Sequence, residues 1–185
     1  RSKFKAQRVY QDSLNLNYNK AIIDEHGTIF VSGIYLLAWK PPNLKFVLPL
    51  QDYSDQIALD KYDQLWVTTR AGDLMCFSVN RSVPEKFLTL KYSYRNVIPK
   101  IAPRSLVVDS SDNVWVGTRY DGLYMFHFNA NRLFDQHHFT TEDGLTDNFV
   151  YYLAVSRRNT IWVGTQGGLD KVNFENRRFT VQGIT

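Results

Sequence analysis

The stretch Asp109 to Phe126, DSSDNVWVGTRYDGLYMF, opens on acidic turn residues and runs into an alternating strand, Val114-Trp115-Val116. That strand closes at Gly117-Thr118, and after a short polar loop a second strand starts at Gly122-Leu123. A run with turn residues at both ends and period-two alternation between them predicts a β-hairpin. The same pattern recurs along the chain, so the sequence reads as copies of one unit.

Working outward, the first copy is Asp24 to Leu36, with Phe30 where the opening stretch has Trp115. The second runs from Asp60 through Trp66 to Met75, and the fourth from Val155 through Trp162 to Val172, with Val155 standing where the turn Asp is expected. The aromatics Phe30, Trp66, Trp115 and Trp162 are separated by 36, 49 and 47 residues. Short strands repeating at that period indicate propeller blades rather than a helical solenoid. The fold class expected is all-β: about four four-stranded antiparallel blades near residues 14–48, 53–90, 104–139 and 145–181. Phe4 to Tyr10, within residues 1–13, reads as the outer strand of a preceding blade. Because the end of the chain, from Phe179, echoes the start of another unit at Phe139, the expectation is a single propeller segment, part of a ring of roughly seven blades. A four-bladed ring with a tail is the alternative. The four anchor aromatics are read as packing between blades, and the glycines at 33, 72, 122 and 168 as starting the third strand of each blade.

Composition narrows the function. The net charge of +4 arises from 22 basic and 18 acidic residues that are interleaved, so no basic stripe for nucleic acid is expected. Cys76 is the single cysteine, which excludes an internal disulfide and a thiolate metal cluster; its run, Leu74-Met75-Cys76-Phe77, marks it as a small buried side chain. No run is long and apolar enough to span a bilayer as a helix, and the start is unlike a signal peptide. Any membrane attachment is expected only through the parent chain.

The runs Ser105 to Thr118 with Gly122-Leu123-Tyr124, and Gly144 to Val150 leading to Ile161 to Thr165 and Gly168-Leu169, resemble the two-component regulator propeller repeat. The resemblance covers residues 50 to 185 well and the first unit weakly. It implies the periplasmic part of a hybrid two-component sensor, in which tandem propellers precede a membrane span and kinase modules. It further implies detection of carbohydrate breakdown products and regulation of transcription. The partners implied or expected are an oligosaccharide ligand, the remaining blades of the parent chain and a second ectodomain in a homodimer.

No catalytic constellation, metal site or cofactor is expected. His26 falls in a turn, His127 in a strand, and the adjacent His137 and His138 point to opposite faces of theirs. The Asp-containing turns lack the alternating oxygen ligands of a calcium loop. Propeller topology brings the connections entering each innermost strand to the same end as those joining the second and third strands. The ligand-binding residues expected there are Arg70, Tyr94, Arg95, Arg104, Arg119, Tyr120, Asp121, Asn148 and Gln166. Leu90 to Pro103 is expected to be a long specialised loop. Two rival readings remain: a propeller enzyme resembling the streptogramin lyases, which needs a histidine and acids at the channel mouth, and a scaffold that binds only protein.

Overall fold

The computed structural model describes residues 18–42, 44–98, 103–129, 132–175 and 178–184. Four antiparallel sheets of four strands follow one another along the chain. The first holds β1 (Tyr18–Ile23), β2 (Ile29–Gly33), β3 (Tyr35–Lys40) and β4 (Leu44–Pro49). The second holds β5 (Ser54–Leu59), β6 (Gln64–Thr69), β7 (Leu74–Val79) and β8 (Leu88–Tyr94). The third holds β9 (Pro103–Val108), β10 (Val114–Thr118), β11 (Leu123–Asn129) and β12 (Arg132–Phe139). The fourth holds β13 (Val150–Val155), β14 (Ile161–Thr165), β15 (Leu169–Glu175) and β16 (Arg178–Ile184). Each sheet is an up-and-down meander, as short strands joined by tight turns require, and together they are blades of a β-propeller. The outer strand expected at Phe4 to Tyr10, Asn43 of the turn near Pro42, and Pro99 and Lys100 lie outside the described residues.

The innermost strands contact one another in order, β1 with β5, β5 with β9 and β9 with β13. No comparable contact links β13 back to β1 among the described residues. The four blades therefore form an open arc and not a four-bladed ring. Three apolar cores fill the spaces between successive blades, one around Phe30 and Phe77, one around Trp66 and Phe126, and one around Trp115 and Val163. Phe30 stacks on Phe87 of the second blade at 6.2 Å, Trp66 lies 4.8 Å from Phe128 of the third, and Trp115 meets Phe179 of the fourth edge-on at 5.9 Å. Each anchor thus fills the gap to the blade that follows. Trp162 sits at the same place in the fourth blade, where no further blade is described, and is only half-buried.

The turn between the first two strands of each blade is built on one recurring residue. Asp60 Oδ1 accepts from the backbone N–H groups of Tyr62 and Gln64, both at 2.9 Å, and Asp109 Oδ1 accepts from those of Ser111 (2.8 Å) and Asn113 (3.0 Å). The second carboxylate oxygen takes the indole N–H of the anchor, at 3.0 Å from Trp66 and 2.8 Å from Trp115. These carboxylates are consumed in closing turns and holding the anchors, which is why the repeat carries them. In the fourth blade the position is Ser156 and not Val155: its hydroxyl accepts from Arg158 N at 3.3 Å and Thr160 N at 3.1 Å. In the first blade Phe30 has no N–H to give, and Arg81, reaching over from the second, lies 2.8 Å from Asp24 Oδ2 and 2.6 Å from Asp63 Oδ1.

Two further expectations are corrected. Gly33 ends β2 with ordinary backbone, whereas Gly72, Gly122 and Gly168 precede the third strand with φ between 69° and 158°. At Gly122 a side chain would also collide with the carbonyl oxygen of Phe139, 2.1 Å from where a Cβ would stand. The proposed long loop from Leu90 is shorter than the sequence indicates, because β8 continues to Tyr94, pairing with Leu74. Cys76 is fully buried, and burial, with Asp60 nearby, pushes its thiol up to about 12, so it is an unreactive core side chain.

Candidate functional site: the bulged ends of the innermost strands

Every innermost strand skips one residue in its pairing with the second strand, and always at the same place. Tyr18 pairs with Gly33 and Lys20 with Ser32, leaving Asn19 out; Ser54 and Gln56 pair with Thr69 and Thr68, leaving Asp55 out. Arg104 and Tyr151 are passed over in the same way in the third and fourth blades. A bulge of this kind re-aims the extra side chain out of the regular pleat. Counted back from the turn residues Asp24, Asp60, Asp109 and Ser156, the four bulged residues stand five positions earlier in every copy. Their side chains differ completely: amide, carboxylate, guanidinium and phenol.

A cavity of about 350 Å3 opens at this end of the arc, lined by Asn19, Asp55, Gln56, Arg70, Pro103, Arg104 and Arg119. Arg70, Arg119 and Gln166 each directly follow the second strand of their blade, so the repeat presents them at equivalent positions. Arg70 lies over the Tyr53 ring at 4.1 Å, while Arg104 and Arg119 flank the Phe149 ring at 5.7 and 5.9 Å. Arg119 also lies 5.1 Å from the centre of Tyr120, whose ring meets Phe149 edge-on at 5.5 Å. Asp55, only 7 % exposed, accepts through Oδ1 from Asn19 Nδ2 at 2.7 Å and Arg70 Nε at 3.3 Å. Its Oδ2 has no hydrogen-bond partner among the described residues, and burial raises its pKa against the opposing pull of Arg70. The backbone beneath is held by the neighbouring blade, with Ser54 Oγ bonded to Gly33 N and O at 2.8 Å each and Ser32 Oγ 3.2 Å from Asp55 O.

Of the residues expected from sequence, the structure gathers Arg70, Arg104 and Arg119 around this cavity, with Tyr120 beside them. Gln166 holds the equivalent place in the fourth blade. The others are engaged elsewhere. Tyr94 is half-buried in β8 against Phe128 at 5.2 Å. Arg95 lines a separate groove of about 600 Å3 with Leu48, Met75 and Phe77. Asp121 accepts from Tyr124 OH, and its carbonyl lies 2.6 Å from His138 Nε2. Asn148 Oδ1 accepts from Thr141 N at 2.8 Å, bracing the turn before β13. Sequence reasoning missed Asn19, Asp55, Tyr53, Phe149 and Tyr151; for Asn19, Asp55 and Tyr151 the signal available was the variable column five residues before each turn, and Tyr53 and Phe149 stand two residues ahead of that column.

His26 and His127 do not reach this end. His26 lies in the turn after β1, and His127 Nδ1 is 2.7 Å from Asn113 Oδ1, near the turn before β10. No group of three metal-ligating side chains comes together among the described residues.

The repeat that closes the arc is the clearest sequence match. Residues 144–167 match the two-component regulator propeller. No curated protein sequence matches the chain. Among solved structures, the extracellular domain assigned to the hybrid two-component system BT3049 of B. thetaiotaomicron is similar over 89% of this chain and 22% of its own, with a TM-score of 0.65 and 19% identity. The extracellular domain assigned to BT4673 of the same organism covers 89% and 25%, with a TM-score of 0.62 and 16% identity. A catalytically inactive virginiamycin B lyase of Staphylococcus aureus, solved with quinupristin, covers 98% and 60%, with a TM-score of 0.75 and 10% identity. At these identities the likeness establishes the propeller fold, and the chain spans about a fifth to three fifths of those chains.

Proposed function

We propose that the chain is part of a non-enzymatic extracytoplasmic sensing module of a two-component system, which binds carbohydrate breakdown products and regulates transcription through distant kinase modules. The observation that carries the reading is the set of four bulges, which sets a different polar or aromatic side chain of each blade at one end of the arc, three of them, Asn19, Asp55 and Arg104, around one cavity. Arg, Asp and Asn offer directional hydrogen bonds to hydroxyls, and Tyr53, Tyr120 and Tyr151 offer rings for the apolar faces of pyranoses. The matched regulator repeat and the likeness to sensor ectodomains support the setting, including a periplasmic location in a membrane-anchored parent.

The outer face of the fourth blade, where Trp162 shares a side with Tyr152 (77 % exposed), Leu169 and Ile184, is read as the seat of the next blade of the parent chain. Pairing of two ectodomains is part of the same proposal. Calorimetric titration of the protein with a panel of oligosaccharides tests the binding, with each sugar recovered and chromatographed afterwards. Saturable heat with the sugar recovered unchanged is the expected result. Cleaved product would favour the lyase-like alternative, which the similarity to virginiamycin B lyase keeps in view.

A further inference from the structure

The charge around the cavity is lopsided, and that narrows what it takes. We infer that the site binds an acidic saccharide, its anionic group held by Arg104 and Arg119 and a neighbouring hydroxyl donated to Asp55. The inference rests on the sensing reading above and names the ligand class for the same cavity.

Three guanidiniums line the cavity, and only Arg70 has a carboxylate within ion-pair distance, Asp55 at 3.3 Å. Arg104 and Arg119 have none among the described residues; they contact Phe149 and Tyr120 through ring faces, which leaves their N–H edges free of carboxylate. Both belong to the third blade, lie 5.7 and 5.9 Å from the centre of the same Phe149 ring and line the same cavity, so an anionic group bound there meets positive charge from both. A guanidinium presents a planar pair of donors that matches the oxyanions of a carboxylate or sulfate, and stacking on an aromatic ring holds that plane in place beforehand.

Asp55 supplies the second half of the recognition. It is more than nine-tenths buried on the cavity wall, its Oδ1 is satisfied by Asn19 and Arg70, and its Oδ2 has no partner among the described residues. A buried acceptor without a donor is costly, and a sugar hydroxyl is a donor of the right kind; because Oδ2 is closed to solvent, the hydroxyl reaches it only as the neighbouring side chains give way. A simple inorganic anion would satisfy the arginines and leave Asp55 unanswered, whereas a hydroxylated acid answers both. Asn19, Asp55 and Arg104 sit on innermost strands, and Ser32 and Ser54 fasten the strand of Asp55 to its neighbour, so these groups are placed by scaffold, while Arg119 directly follows β10.

The test is calorimetric titration of the protein with trigalacturonate, its fully methyl-esterified form, a sulfated chondroitin disaccharide and neutral maltotriose. Trigalacturonate or the sulfated sugar is expected to bind about tenfold or more tighter than the methyl ester and maltotriose, and to weaken as salt is raised. Arg104→Gln and Arg119→Gln are each expected to weaken that binding about tenfold, and Arg104→Lys to restore only part of it, with the unliganded thermal midpoints unchanged. Equal binding of the ester or of maltotriose overturns the acidic specificity and leaves the sugar-sensing reading standing. Heat from none of the four overturns both. Acid binding that survives the two Arg→Gln substitutions overturns the assignment to this cavity.

Discussion

The two ends of each innermost strand lie only five residues apart and follow opposite rules. At the turn end the four blades repeat one solution, in which Asp24, Asp60, Asp109 or Ser156 accepts the same two backbone N–H groups. At the bulge end they repeat the backbone and vary the chemistry, from Asn19 and Asp55 to Arg104 and Tyr151. Uniformity marks what every blade needs in order to close and stack. Variation on a uniform backbone marks side chains that stacking does not dictate, and those are free to meet a ligand.

The contrast can be broken most sharply at the turn end. Trp115→Ala removes a ring that is 2 % exposed and strands the carboxylate of Asp109; a loss of about 3–5 kcal/mol is expected in urea unfolding. Arg81→Ala comes next, at about 2 kcal/mol, because it leaves Asp24, whose side chain is 4% exposed, without its cation. Burial alone would raise the pKa of Asp24, but the N–H of Thr28 together with Arg81 and the N–H of His26 outweigh it and hold it below its usual 3.8. A depressed carboxylate stabilises the fold above its unfolded pKa and ceases to do so as pH falls through its folded one. The gap between wild type and Arg81→Ala should therefore be full at pH 7 and shrink below about pH 4. At the bulge end the smallest effect is expected: Arg104→Ser and Tyr151→Ser should change unfolding by no more than about 0.5 kcal/mol, since both side chains are exposed and neither pairs in the ladder. A large loss from either would mean that the bulged residues serve the fold after all.

Much of this was legible beforehand. Short apolar runs around Trp66, Trp115 and Trp162, bounded by turn residues, reveal the strands, and their spacing reveals the blades, because a four-stranded meander needs about that much chain. Arg70, Arg104 and Arg119 were also legible, as charged residues where a propeller brings its loops to one end. Tyr94, Asp121 and Asn148 read the same way in sequence and are taken up in the structure, by Phe128, by Tyr124 and His138, and by the Thr141 turn. A polar side chain beside a loop carries no mark of whether its partner will be water, a ligand or another part of its own blade.

The sequence by itself determined the unit. A short apolar run, a capped turn and an anchor aromatic are local features, and repeating them commits the chain to stacked blades whatever the ligand. Tertiary structure alone decided which side chains converge. Asp55 and Arg104 are 49 residues apart in sequence and line one cavity only because their strands lie side by side. The bulge is likewise a property of the pairing between two strands, and it is the bulge that turns one residue per blade away from the pleat.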